Sequence, residues 1–203
     1  QKELWLPKLA SGEIIATFAL SESASEPSEK NINTTIIGNK LNGKKLPVPD
    51  GSYADICVVV VRDKDSNTIS LALVEMNSKG ITKNELKTLD PSRNHAELIF
   101  KDSPAEIMET GSESWLCVEK CLDTAAILIA FEQIGGAEAS LNMAKEYALD
   151  RYAFGRQIGS YQAIKHKLAD MYVKIELAKS NCYYGAMMLN DDGGDFKIAA
   201  AAS

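Results

Sequence analysis

Between two long proline-free stretches the chain reads Arg151-Tyr-Ala-Phe-Gly-Arg-Gln-Ile-Gly-Ser-Tyr-Gln162. These residue types at this spacing suit phosphate binding. Arg151 stands where the first stretch ends, and its planar guanidinium can fork onto phosphate oxygens. A helix starting at Tyr161 would present unpaired N–H groups and a partial positive charge, with Ser160 as its expected N-cap. Gly155 and Gly159 would let the backbone approach a ligand. Phe154 could pack against a ring, and Gln162, in the first helical turn, can donate and accept at a nucleotide. The residues alone leave a second reading open: a helix–helix turn with an exposed arginine and a core phenylalanine.

Two kinds of structure must position these groups. The first half carries short β-branched and aliphatic runs at residues 14–20, 32–41, 55–62 and 68–75, with another at 95–101. Asn42-Gly43 reads as a type I′ hairpin turn, Asp50-Gly51 and Asp65-Ser66-Asn67 as further turns. Short strands at regular spacing predict an antiparallel sandwich or barrel. Residues 21–33 are polar and read as a loop or partly mobile excursion.

The second half predicts helices over 113–152 and 161–190. Residues 125–134 are apolar almost all round, the pattern of a helix buried on most sides. Gly135-Gly136 would cost about 1 kcal/mol each in a helix interior, which predicts close approach of another helix or a ligand. In the second helix Ile164, Leu168, Met171, Ile175 and Ala178 line one face. Asp191-Asp192-Gly193-Gly194 should end it, with a third helix from about Asp195. The alanine run stops at Ser203, which suggests part of a longer protein. The expected architecture is therefore α+β: a β domain over 1–105 and an incomplete helical-bundle domain over 106–203.

The 203 residues are 45% hydrophobic and 25% charged, a globular balance. The net charge of −6 speaks against a nucleic-acid partner. The most apolar run, 124–134, is too short to span a bilayer and is interrupted by Glu132, so no membrane partner is expected. Cys57, Cys117, Cys121 and Cys182 form no C-x-x-C pair. Cys117 and Cys121 lie one helical turn apart and read as two small core residues. Reduced thiols point to the cytoplasm. His95 reads as a strand residue at a surface and His166 as a solvated or interhelical one. Neither has a ligand cluster around it, so no metal site is expected.

The stretch from Arg151 to Met171 resembles the acyl-CoA dehydrogenase family of flavoenzymes. That family's pattern R-x-x-F-G-x-x-I-x-x-x-Q-x-x-x-x-x-L-A-D-M is matched by Arg151, Phe154, Gly155, Ile158, Gln162, Leu168, Ala169, Asp170 and Met171. The resemblance extends upstream to Trp5-Leu-Pro-Lys-Leu-Ala-Ser-Gly-Glu13, similar to the family's lead-in to its middle β domain. Phe18-Ala-Leu-Ser-Glu22 is similar to the strand whose end touches the flavin ring. The resemblance implies FAD as cofactor, held by Arg151, Ala153, Phe154, Tyr161 and Gln162 on the pyrophosphate and adenine side, in the family usually that of a dimer partner's flavin. Leu20, Ser21, Val48 and Pro49 would lie on the ring side and Asp123 at the substrate. It also implies desaturation of an acyl-CoA thioester to the 2,3-enoyl-CoA, by removal of the α proton and transfer of hydride from the β carbon, with an electron-transfer flavoprotein as acceptor.

Several positions depart from the family pattern. Ala153 replaces a hydroxyl residue common there. Ser23-Ala-Ser-Glu-Pro-Ser28 replaces Pro and a Gly-Ser-Asp turn. Pro47-Val48-Pro49 replaces a Trp-Ile-Thr strand, removing backbone donors. Asp123-Thr-Ala-Ala126 replaces Asp-x-x-Arg. The catalytic base is expected outside this chain. In branches that carry it on this helix, Ala125 falls at its place, and Glu132 reads as structural or interfacial. Losses on the chain's own flavin face, with the partner-reaching part retained, suggest an alternative: one subunit of a heteromeric acyl-CoA dehydrogenase that completes a partner's FAD site. The wording from Gln162 to Met171 resembles bacterial branches acting on steroid side-chain or other bulky acyl-CoAs. A flavin-free structural module is the remaining reading.

Overall fold

A computed structural model describes residues 2–108 and 113–189. The chain divides into two compact units, Gln1–Cys117 and Val118–Ser203.

The first unit opens with a helix the β-rich sequence reading did not foresee, α1 (Lys2–Ser11), with Pro7 inside it. Strands β1 (Ala16–Ala19), β2 (Thr35–Ile37), β3 (Lys40–Pro49), β4 (Ile56–Asp63), β5 (Ile69–Glu75), β6 (Ile81–Leu86), β7 (His95–Pro104) and β8 (Glu106–Ile107) form one sheet. Its order is β6-β7-β3-β2-β4-β5-β8, with β1 also on β4. The pairings are antiparallel except β1 and β2, which both run parallel to β4. Among the described residues no pairing joins β6 to β8, so the sheet stays open rather than closing into a barrel. Flanked by β1 and β2 on one side and β5 on the other, β4 is an interior strand, and Ile56, Cys57, Val59, Val60 and Val61 are all buried. Ile36, Leu41, Val48, Val74, Leu98 and Phe100 complete the core.

Asn42-Gly43 is not the hairpin turn its dipeptide suggests. The two-residue turn between β2 and β3 is Gly38-Asn39, with Ile37 opposite Lys40 and Gly38 at φ 56°. Asn42 and Gly43 lie inside β3 at a register shift against β7. There Asn42 exchanges hydrogen bonds with Asp102 at 2.9 and 3.1 Å, and Gly43 lies so close to Thr34 that a Cβ would sit 2.7 Å from its backbone. Tertiary contacts, including a partner 60 residues away, convert a turn signal into a bulge. The turns at Asp50-Gly51 and at residues 65–67 form as expected, Asp50 and Asn67 taking positive φ.

The polar segment 21–33 is tied down rather than loose. The Glu22 carboxylate accepts from the N–H groups of Asn33 and Thr34, both at 2.9 Å, and Arg62 donates to the carbonyls of Ile32 and Glu29.

The second unit is dominated by α2 (Ser114–Asp150) and α3 (Gln162–Met188). Ala130, Ile134 and Phe131 of α2 pack on Ile175, Ala178 and Cys182 of α3, and the Phe131 and Tyr183 rings meet edge to face at 5.5 Å. The helix over 125–134 is not enclosed on most sides in this chain: Leu128 and Ile129 are 59% and 51% exposed. A Cβ on Gly135 or Gly136 would meet nothing within 4 Å, so no neighbour among the described residues approaches them. Cys117 and Cys121 are exposed, not core residues as their spacing suggested. The expected helix stop at residues 191–194 and the third helix lie outside the described residues.

Candidate functional site

Helix α2 stops at Asp150, and the chain makes a small hairpin before α3. Strands β9 (Tyr152–Ala153) and β10 (Arg156–Gln157) pair antiparallel, Ala153 opposite Arg156 and Tyr152 opposite Gln157. The two tip residues, Phe154 and Gly155, have φ of 51° and 78°. Positive φ at both central residues is the type I′ signature, whose twist matches a two-residue hairpin. Glycine takes this conformation freely, whereas a bulky aromatic does so at a cost of roughly 1–2 kcal/mol. Phe154 adopts it and is 96% exposed. Phe154 is therefore not a core residue of this chain. Strained backbone of this kind clusters at active and binding sites.

The base of the hairpin is tightly closed. Arg151 N–H donates to the Tyr147 carbonyl and Ile158 N–H to the Arg151 carbonyl, both at 2.8 Å. Ser160 does not cap α3. Its hydroxyl donates to the Gln157 carbonyl at 2.6 Å inside a one-turn 3₁₀ segment, and the N-cap is Tyr161, extended at φ −80°, ψ 132°, with no side-chain cap bond. The insertion of that turn moves the helix start one residue on. Gly159 serves packing rather than ligand approach, because a Cβ there would sit 2.8 Å from the Ala148 carbonyl. Gly155 has open space around it.

Tyr161 is engaged at both ends. Its hydroxyl donates to the Ala153 carbonyl at 2.9 Å, and the Arg156 guanidinium lies 4.0 Å above its ring centroid. Its contribution is to hold the hairpin. The guanidinium of Arg151 is exposed and makes no hydrogen bond or ion pair among the described residues, and the Gln162 amide is equally free. Arg151, Ala153, Phe154, Tyr161 and Gln162 are thus brought onto one hairpin and the first turn of α3, with cationic and aromatic groups facing water. This donor set fits the phosphates and ring of a nucleotide cofactor.

The ring-side residues belong to the first unit. Leu20 and Ser21 follow β1, and their carbonyls are taken by Lys45 Nζ at 2.8 Å and Leu46 N–H at 2.9 Å. Val48 points into the core and is fully buried, so only its backbone could meet a ligand. Pro49 is exposed, and its carbonyl accepts from the Thr17 hydroxyl at 2.5 Å. Neither Pro47 nor Pro49 has an N–H to offer. The Ser21 hydroxyl has no partner among the described residues. This face fits a flat ring less well than the hairpin fits phosphates.

Sequence reading gave Lys45 no role. It is 0% exposed and donates to Glu22 at 2.9 Å as well as to the Leu20 carbonyl. Burial lowers the Lys45 ammonium below its ordinary range, opposed by hydrogen bonding and charge from Glu22. Partial burial alone would raise the Glu22 carboxyl. Hydrogen bonds from Lys45 and from the Thr34 and Asn33 amides, with the Lys45 charge, outweigh that and hold it below the usual carboxylate range. The available signal was a lysine four residues after Leu41, on the inward face of an alternating strand.

In the second unit the Asp123 Oδ2 is cut off from solvent without a hydrogen-bond partner among the described residues. An orphaned carboxylate oxygen is uncommon and marks a place where a further group can donate. Glu132 is exposed and Glu138 pairs with Lys179. His95 sits at the start of β7 with Nδ1 3.2 Å from the Arg93 carbonyl, and His166 is exposed on α3. No group of three metal-ligating side chains occurs among the described residues, and none of the described helices is long and apolar enough to cross a membrane.

Residues 115–203 match the family model of the acyl-CoA dehydrogenase C-terminal domain. An acyl-CoA dehydrogenase of Bacillus subtilis is 34% identical over 202 residues, covering 94% of this chain and 53% of the relative. The structure of butyryl-CoA dehydrogenase from Megasphaera elsdenii superposes with a TM-score of 0.90 at 28% identity, over 98% of this chain and 55% of that one. A glutaryl-CoA dehydrogenase from Mycobacterium smegmatis in complex with FADH2 gives a TM-score of 0.83 at 25% identity, over 98% and 54%. The chain therefore spans about half the length of the relatives it matches.

Proposed function

As the chain belongs to the acyl-CoA dehydrogenase family, we propose that it is the middle and early C-terminal part of an FAD-dependent enzyme that desaturates an acyl-CoA thioester to the 2,3-enoyl-CoA. The observation that carries this is the 152–157 hairpin, where Arg151 is unpaired and Phe154 is held exposed at a strained φ. Arg151 grips pyrophosphate oxygens. Phe154 and Gln162 meet the adenine side, and Tyr161 and Ala153 keep the hairpin in shape. Leu20, Ser21, Val48 and Pro49 form the ring side, where Ser21 supplies the one free hydroxyl. Asp123 receives a donor from the substrate or its surroundings. FAD, when bound, supplies the hydride acceptor. The proton at the α carbon needs a carboxylate base, a role to which this reading assigns none of the described carboxylates. The exposed apolar side chains Leu128, Ile129, Tyr172 and Val173 support an oligomer or further helices of the same protein covering α2 and α3. An electron-transfer flavoprotein is the electron acceptor, and the cytoplasm is the compartment that free thiols favour.

The test is the visible spectrum of the full-length protein in its native assembly. A flavin spectrum bleached anaerobically by a straight-chain or steroid side-chain acyl-CoA, and lost with Arg151→Ala, is the expected result. A colourless protein that takes up no FAD sinks it. One observation favours a second reading. Pro47 and Pro49 leave the chain's own ring side poor in backbone donors, while the hairpin that would serve a neighbouring flavin is intact. The chain would then be one half of a heteromeric dehydrogenase, with flavin appearing only on co-expression with a related subunit.

A further inference from the structure

Arg156 is the residue of the hairpin for which the family pattern names no task. Its guanidinium lies over the Tyr161 ring at 4.0 Å, and Tyr161 is itself fixed by its hydroxyl on the Ala153 carbonyl. Ala153 is the cross-strand partner of Arg156. Backbone, ring and cation therefore form a closed loop that holds the Arg156 head in one place. A cation–π contact supplies the five N–H donors of a guanidinium with no hydrogen-bond acceptor of its own. None of them has a hydrogen-bond or ion-pair partner among the described residues. A cation that only stabilised the hairpin would find a carboxylate as readily as a ring. Here two guanidiniums, those of Arg151 and Arg156, flank the same hairpin without an acid on either. One braced fork and one free fork, unpaired among the described residues, suit an anion with two charged centres.

We propose that Arg156 is a second phosphate-binding residue, sharing the FAD pyrophosphate with Arg151. The inference rests on the reading that this hairpin receives FAD. Tyr161 is the platform that sets the angle of the Arg156 fork, and Arg151 and Arg156 act on different oxygens of one pyrophosphate. A lysine at 156 would keep the charge and lose both the flat stack and the fork.

The experiment compares full-length protein, in its native assembly and freed of flavin, as wild type, Arg156→Gln, Arg156→Lys and Arg151→Gln. Each is titrated with FAD, with riboflavin, which lacks the phosphates, and with ADP. Arg156→Gln is expected to weaken FAD and ADP by about tenfold, the size of one charge-assisted hydrogen bond, and to leave riboflavin within about twofold. Arg156→Lys should fall between the two. An equal loss for FAD and riboflavin would show that the stack merely supports the hairpin and would overturn the proposal. So would FAD binding unchanged in Arg156→Gln, which leaves the flavoenzyme reading standing. A wild type that takes up neither FAD nor ADP overturns that reading and the proposal together.

Discussion

The Glu22–Lys45 cluster and the Arg151–Arg156 hairpin treat charge in opposite ways. In the cluster every strong group is matched. Lys45 is enclosed with a carboxylate and a carbonyl, and Glu22 takes two backbone N–H groups besides. In the hairpin both cations face water with their donors unused and the tip aromatic is strained into the open. Removing one member of the first arrangement would strand an enclosed charge, whereas no contact among the described residues uses the donors of the second, which the proposed function assigns to binding. Matched buried charge holds the end of β1 against β3. Unmatched exposed charge is, on the proposed function, where the anion is received.

The sharpest way to break this contrast is Lys45→Met. It leaves the Glu22 carboxylate enclosed without its cation, and should cost about 3–5 kcal/mol in chemical denaturation of the protein. The double variant Lys45→Met with Glu22→Leu should recover most of that loss, since a well-packed apolar pair often matches a buried ion pair. If the double variant is as unstable as the single one, the backbone bonds of Glu22 rather than its pairing dominate.

Arg151→Ala should behave in the reverse sense. Its melting should stay within about 0.5 kcal/mol of wild type, while FAD affinity, followed by flavin fluorescence, falls by about ten- to a hundredfold. Destabilisation comparable to Lys45→Met would make the hairpin a structural device after all.

Phe154→Asn is predicted to leave stability unchanged or raise it by about 0.5–1 kcal/mol, because asparagine tolerates positive φ better than phenylalanine. FAD binding should weaken in the same sample. A loss of stability would mean that the exposed ring packs on something in the assembly.

Two smaller effects concern titration and access. The Glu22 carboxyl is held below its ordinary range in the folded protein. Its stabilising contribution is therefore complete above that range and is lost as pH falls through the lowered folded value. Acid melting should show this loss in wild type and a flatter profile in Glu22→Gln. Burial pushes the Cys57 thiol up to about 12, so a thiol reagent at neutral pH should spare it. Cys117 and Cys121, exposed on α2, should label first, unless subunits of the assembly cover them.

Much of this molecule was legible because it depends on neighbours close in the chain. The two-class division, the long helices and the turns at Asp50 and Asn67 follow from periodicity and turn chemistry within a few residues. Arg151, Phe154 and Gln162 stood out because their types suit a phosphate and a ring and because the stretch resembles the acyl-CoA dehydrogenase pattern, whereas the hairpin that carries Phe154 was not foreseen. What escaped depends on partners far along the chain. Lys45 has no role in the sequence reading until Glu22, 23 residues earlier, is seen to pair with it. Asn42-Gly43 reads as a turn until Asp102 pairs with it. Ser160 reads as a cap until the 3₁₀ turn moves the N-cap to Tyr161 and the helix start to Gln162. The residue types by themselves singled out a stretch whose chemistry suits an anion. Only the tertiary structure decided which charges would be buried and satisfied and which left free, because pairing requires groups to meet in space, and meeting is set by the sheet register and the hairpin rather than by sequence distance.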